Sequence, residues 1–239
     1  MRDEYVRTAM LITEQGVEKL KNSCVAVFGV GGVGSYTVEA LARCGVGRLV
    51  LVDKDEVALS NINRQMIALH STVGQPKVEV AKQRINDINP EIKVEAMQCF
   101  FDKTTVDEFN FDEYDYVVDA IDSVSSKLLL IETAVKHGVK IISSMGMGNK
   151  LHPEMIELED IMKTSVCPLA RVMRTELRKR NIHHLDCVYS KEKALVPDSS
   201  LNPDDNAPGK RQTPGSVSFV PSTAGLIIAS KVIRDIIGA

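Results

Sequence analysis

Short apolar runs bounded by glycine, aspartate or polar turns recur along the first 145 residues, separated by stretches of helical periodicity. Fully apolar strands that alternate with amphipathic helices are the pattern of βαβ units and a parallel sheet. Val25-Ala26-Val27-Phe28 reads as a buried strand, followed by glycines and a helix over 36–42 that Gly45 and Gly47 stop. Residues 48–52 form a second apolar strand ending on Asp53. Pro76 suits a first helical position, so a helix carrying Val78, Val80, Ala81 and Ile85 runs to Asn89-Pro90, and Lys77 sits at its N-terminus. Residues 92–97, 116–119 and 139–143 supply three more strands, with helices in the gaps.

The pattern changes past Gly146-Met147-Gly148. A short extended stretch over 155–158, a helix over 168–180 and a strand over 187–189 are expected. Residues 193–215 hold four prolines (Pro197, Pro203, Pro208, Pro214) among Asp, Asn, Ser and Gly, which is loop composition. Residues 216–220 lead into a closing apolar helix over 223–237. Lys231, Arg234 and Asp235 interrupt that helix, so it reads as buried and not as a membrane span. The fold class is α/β: a Rossmann-type, mostly parallel sheet with flanking helices, extended by a C-terminal mixed α/β segment. One domain over 1–239 is expected, with a core at 1–150 and an extension at 151–239 for substrate binding and dimer support.

Composition is that of an ordinary globular protein, with 44% hydrophobic and 26% charged residues. The N-terminus Met1-Arg2-Asp3-Glu4-Tyr5 lacks a secretory core, and a cytoplasmic location is expected. Cys24, Cys44, Cys99, Cys167 and Cys187 are widely spaced, so no Cys-x-x-Cys zinc pair exists and free thiols are expected. His183-His184 reads as a loop pair without further zinc ligands. Net charge is only −3, yet residues 163–193 hold eight basic side chains against the acidic Glu176, Asp186 and Glu192.

Gly29, Gly31 and Gly34, with Gly32 between them, satisfy the nucleotide-binding fingerprint between a strand and a helix, and Asp53 follows at the distance expected of a ribose-binding carboxylate. That pattern describes an NAD enzyme equally well. Arg64 and Lys77 separate the two readings. Cleaving ATP at its α-phosphate builds charge on the leaving pyrophosphate, which these cations would stabilise, together with a magnesium ion held by Asp122 beyond the fourth strand.

The run Gly29-x-Gly31-Gly32-x-Gly34, the pair Asp53-x-Asp55, and the segments Ser60-Asn61-x-x-Arg64-Gln65, Gly74-x-Pro76-Lys77 and Asp119-x-x-Asp122 resemble the ubiquitin-activating-enzyme-like adenylyltransferases of the ThiF/MoeB type. The resemblance implies ATP and Mg2+ as cofactors, Asp53 on the ribose, Asn61, Arg64 and Lys77 on phosphates, and Asp122 on magnesium. It also implies a homodimer in which Arg7 reaches the neighbouring subunit's ATP.

Members of that type that activate a ubiquitin-like sulfur-carrier protein usually carry zinc cysteines, which are absent here. The second half instead resembles the branch that dehydrates threonylcarbamoyladenosine beside the anticodon of tRNA, on Ile142-Ser143-Ser144-Met145-Gly146, Asp160-Ile161-x-Lys163-Thr164, Pro168-Leu169-Ala170, Cys187-Val188-Tyr189-Ser190 and Lys210-Arg211. The implied reaction adenylates the threonyl carboxylate, which the tethered carbamoyl group then attacks. Sulfur-carrier activation is the alternative, and a sulfur-relay protein is a further candidate partner. Arg171, Arg174 and Arg178 recur at helical spacing opposite Leu169, Val172, Met173 and Leu177, and this row fits tRNA phosphates as well as a solvated helix face. Lys210 and Arg211 would add contacts. Cys167 and Cys187 are the candidate thiols if the activated substrate passes to a cysteine, with packing as the other reading.

Overall fold

The computed structural model describes residues 3–201 and 213–239. Its strands are β1 Cys24–Phe28, β2 Arg48–Val52, β3 Lys93–Met97, β4 Tyr116–Asp119, β5 Lys140–Ser144, β6 Ile156–Asp160 and β7 Asp186–Ser190. They form one sheet in the order β3-β2-β1-β4-β5-β7-β6. Every pair is parallel except β6 with β7, so the C-terminal strands extend the sheet directly from β5 and add one antiparallel edge. Chain progression reverses between β1 and β4. Connections leave in opposite directions there and open a crevice at the strands' carboxyl ends.

Every residue of β1 is buried. Val25 and Val27 join Leu49 and Leu51 on one face, while Ala26 and Phe28 join Val50 and Val52 on the other. Burial on both faces explains why these strands read as continuous apolar runs. The helices are α1 Val6–Lys21, α2 Gly34–Cys44, α3 Lys77–Ile88, α4 Val124–Lys136, α5 Pro168–Lys179 and α6 Phe219–Ile237.

Three elements depart from expectation. The hydrophobic pattern does not reveal α1, because Thr13 (φ 68, ψ 164) breaks the helix and only Gly16, Val17 and Leu20 are buried. Thr13 Oγ1 accepts the Gly16 N–H at 3.3 Å, capping the second stretch. The closing helix begins at Phe219 and takes Pro221 into its first turn, where a missing N–H costs nothing. On α5 the buried stripe is Ala170, Met173 and Leu177, whereas Val172, expected on the apolar side, is 46% exposed. Among the described residues no helix is long and apolar enough to cross a membrane.

Helix α6 braces α2. A Cβ on Gly225 would lie 2.4 Å from the Val33 carbonyl, so only glycine allows this approach, and Thr37 Oγ1 donates to the Gly225 carbonyl at 3.1 Å. The first turn of α2, where the glycine-rich loop ends, is thereby held from behind.

Candidate active site

The glycines after β1 have different duties. Gly29 adopts φ +91, and a Cβ there would meet the Ala120 carbonyl at 2.5 Å. A Cβ on Gly34 would fall 1.8 Å from the Gly29 carbonyl, so glycine lets α2 close onto the loop. Gly32 packs against Pro221. Among the described residues Gly31 faces open space, with only Gln65 Nε2 at 3.8 Å from a built Cβ, and leaves room for a phosphate beside the backbone.

A cleft of about 480 Å³ runs along the carboxyl ends from β2 and β3, across β1, to β4 and β5. Its first end is apolar. Phe28 and Phe101 meet edge-on at 4.9 Å, and Val52, Cys99 and Ile121 complete a wall suited to a purine ring. Burial raises the Cys99 thiol above its ordinary range, which disfavours its thiolate. Next to it, Asp53 Oδ2 accepts the Val30 N–H at 2.7 Å and Oδ1 accepts the Asp55 N–H at 2.9 Å. The carboxylate is oriented with lone pairs remaining for hydroxyl donors.

Two cations line the middle. Lys77, buried at the start of α3, places Nζ 3.1 Å from Asp55 Oδ2 and 3.8 Å from Asp53 Oδ1. Arg64 Nη1 donates to the Ser60 carbonyl at 2.9 Å and to Asn63 Oδ1 at 2.8 Å. Gln65 is buried beside Gly31, and its Oε1 has no hydrogen-bond partner among the described residues, an acceptor left for a ligand or water. Gln65 closes the motif that begins at Ser60, but sequence reasoning assigned it no role.

Asp122 is exposed in the loop after β4 and lines the same cleft. That loop rests on a buried ion pair. Asp119 and Lys127 are both fully buried, with Lys127 Nζ donating to Asp119 Oδ2 at 2.9 Å. Ser143 Oγ donates to the same oxygen at 2.5 Å, and Asp119 Oδ1 accepts the Ile121 N–H at 3.2 Å. Among the described residues no cluster of three or more acidic, His or Cys side chains could hold a metal. A single carboxylate nevertheless fits magnesium, which takes one or two protein oxygens and completes its shell with phosphates and water.

The other end of the cleft is built by Ser144 at the end of β5, by Met145, Gly146, Met147 and Gly148 after it, by Leu169 of α5, and by Pro214 and Ser216. Its side chains are apolar or absent apart from the serines Ser144 and Ser216.

Other sequence-derived candidates lie apart. Asn61 does not line the cleft, and its Oδ1 accepts the Ala58 N–H at 3.1 Å, capping its own turn. Arg7 is exposed on α1 and does not reach the cleft of its own chain. Arg171 and Arg178 are exposed on α5, whereas Arg174 Nη1 is tied to the Thr164 carbonyl at 2.9 Å and to Thr164 Oγ1. Lys210 and Arg211 lie outside the described residues. Cys167 and Cys187 are buried behind α5 and line no part of the cleft; burial pushes the Cys187 thiol up to about 12. His184 pairs with Asp160, and no metal site forms around it among the described residues.

A family model described as the ThiF family matches residues 5–239. The tRNA threonylcarbamoyladenosine dehydratase of Bacillus subtilis (strain 168) is 44% identical over 243 residues, covering 99% of this chain and 96% of that protein. The Escherichia coli (strain K12) dehydratase of the same name is 32% identical over 249 residues, covering 98% and 93%. Crystal structures of E. coli TcdA in complex with ATP and with AMP superpose with a TM-score of 0.88 at 32% identity, over 99% of this chain and 95% of that one.

Proposed function

The chain belongs to the ThiF family, and from that membership and its full-length likeness to tRNA threonylcarbamoyladenosine dehydratases we propose that it is an ATP-dependent enzyme that dehydrates and cyclises threonylcarbamoyladenosine in tRNA by adenylating its carboxylate. One observation carries this reading: a purine-sized apolar end, a glycine loop flanked by Arg64 and Lys77, and an acceptor end lie in one cleft along one sheet edge.

In this reading adenine lies against Phe28 and Phe101, and Asp53 receives the ribose hydroxyls. The phosphates cross the Gly31 backbone. A carboxylate oxygen of the threonyl group attacks the α-phosphorus as the bond to the β-phosphate oxygen breaks, and pyrophosphate leaves with its charge facing Arg64 and Lys77. The carbamoyl group, tethered to the same nucleotide, then attacks the activated carbonyl. The bond to AMP breaks, AMP departs with the original carboxylate oxygen, and one proton is released, so the nucleotide loses the elements of water. No cysteine is needed, which accords with the buried positions of Cys167 and Cys187. Magnesium would be held by Asp122 and the phosphates, and would supply charge neutralisation on the pyrophosphate.

Lys77 reaches phosphate without leaving its carboxylates, because an ammonium has three donors. Arg64 has one guanidinium nitrogen already committed, leaving Nε and Nη2 for phosphate oxygens. A homodimer fits the N-terminal helix, whose first stretch projects Arg7 with Met10 and Leu11 at 77% and 87% exposure. Arg171 and Arg178, exposed on α5, would meet tRNA phosphates.

The test is AMP release from ATP with threonylcarbamoylated tRNA. The enzyme is expected to form AMP only with the modified tRNA, and Arg64→Ala to lower kcat/KM by ~10²-fold, the scale of removing one transition-state donor. AMP formation indifferent to the modification would contradict the assignment.

A further inference from the structure

The acceptor end of the cleft is closed by chain from two distant regions, and one asparagine joins that closure to the phosphate side. Pro214 lies over Gly148, where an added Cβ would come within 2.7 Å of the Pro214 Cβ. Asn149 clasps the next residue twice: the Gly215 N–H donates to Asn149 Oδ1 at 2.6 Å, and the Asn149 N–H donates to the Gly215 carbonyl at 2.7 Å. Asn149 holds φ 60 to do so, a left-handed geometry that asparagine tolerates better than most residues. The Ser216 carbonyl then accepts Asn63 Nδ2 at 3.0 Å, while Oδ1 of that same amide accepts Arg64 Nη1 at 2.8 Å. Pro214, Ser216 and Arg64 all line the cleft.

An asparagine amide has one accepting end and one donating end. Here the accepting end meets a guanidinium, which only donates, and the donating end meets a carbonyl, which only accepts. A flipped amide would oppose donor to donor and acceptor to acceptor, so the orientation is unique. Arg64 is thus hydrogen-bonded, through one side chain, to backbone that forms the acceptor wall.

We infer that Asn63 is a positioning residue that couples the two substrates: occupancy of the acceptor end fixes Ser216, Asn63 and Arg64 together, so that modified tRNA and ATP bind cooperatively. This rests on the proposed tRNA substrate. The chain is hydrogen-bonded end to end, so a substrate that engages Ser216 or Arg64 sets the position of the other through Asn63, and the second substrate meets groups already placed for it. Linkage makes the effect reciprocal: each substrate tightens the other by the same factor.

The experiment measures the dissociation constant of an α,β-methylene analogue of ATP with and without saturating threonylcarbamoylated tRNA, alongside AMP formation from ATP. In the wild type the tRNA is expected to tighten the analogue by ~5-fold or more, the lower range of coupled sites. Asn63→Asp keeps an acceptor for Arg64 but loses the donor to Ser216, and is expected to bring the ratio of the two constants to near one. Asn149→Gly keeps the left-handed backbone, releases Gly215 from the side-chain clasp, and is expected to lower the ratio as well. A purely structural role would weaken the analogue equally in both conditions, and an unchanged ratio in Asn63→Asp would overturn the inference. A wild type that binds the analogue but forms no AMP from ATP with this tRNA would instead overturn the functional reading, and the coupling with it.

Discussion

Replacing Lys127 by Met removes one partner of a fully buried ion pair while keeping most of the side-chain volume. Asp119 would retain the Ser143 hydroxyl and the Ile121 N–H but lose the only cation bonded to it among the described residues. Leaving a buried carboxylate uncompensated costs about 3–5 kcal/mol. For a chain of this size that corresponds to a fall in Tm of ~6–20 °C, at ~2–4 °C per kcal/mol. Urea unfolding followed by circular dichroism measures the loss. The decisive comparison is the double variant. Lys127→Met with Asp119→Asn carries no buried charge, and the Asn carbonyl still accepts the Ile121 N–H, so it is expected to recover ~2 kcal/mol relative to Lys127→Met alone. A loss below ~1 kcal/mol in the single variant, or a double variant less stable than the single, would refute the reasoning that an unpaired buried charge dominates. The site is expected to follow, since the loop bearing Asp122 hangs from Asp119 through Ile121.

Three further outcomes are expected. Glu39, on α2, accepts from Arg84 Nε at 2.6 Å and Arg43 Nε at 2.7 Å; burial opposes its charge, but the two guanidinium groups prevail and hold the carboxyl below its ordinary value of 4.5. A depressed folded value gives stability that is present above pH 4.5 and lost as pH falls through the folded value. Glu39→Gln is therefore expected to cost ~1.5–3 kcal/mol at about pH 7, with a gap from wild type that narrows as unfolding is repeated at pH values below about 4.5. Gly225→Ala forces a Cβ to 2.4 Å from the Val33 carbonyl, and calorimetry should record ~1–3 kcal/mol of destabilisation together with weaker binding of ATP as the first turn of α2 shifts. Joint replacement of Arg171 and Arg178 by Ala is expected to weaken tRNA binding and to reduce the slope of log affinity against log salt by ~2, about one for each phosphate no longer neutralised. An unchanged slope would return that face to the category of solvated surface.

Strands β1, β2 and β4 are legible in the sequence because burial on both faces writes them as apolar runs, whereas β3 at the sheet edge and the first residues of β5 are partly exposed and carry a weaker signal; the cleft is legible where its residues sit at strand ends in sequence order. What escapes is set by long-range contact. Asn63 meets Ser216 across 153 positions, and Asn149 meets Gly215 across 66, so neither pairing leaves a local signal. The bent helix α1 escapes because Thr13 interrupts its period and its first stretch has exposed apolar residues. Lys127 left a usable signal: a lysine entering the apolar run Leu128-Leu129-Leu130-Ile131, eight residues after a strand-end aspartate, is a candidate for a buried pair. Arg174 shows the reverse failure. Helical spacing groups it with Arg171 and Arg178, but only the folded chain reveals Thr164 beneath it.

The central claim is tested most directly by mass spectrometry of the modified nucleoside after threonylcarbamoylated tRNA is incubated with enzyme, ATP and magnesium. Loss of one water from threonylcarbamoyladenosine, with AMP and pyrophosphate formed in equal amount, is the result expected. An unchanged nucleoside, with pyrophosphate released instead when a small protein ending in Gly-Gly is supplied, would contradict it.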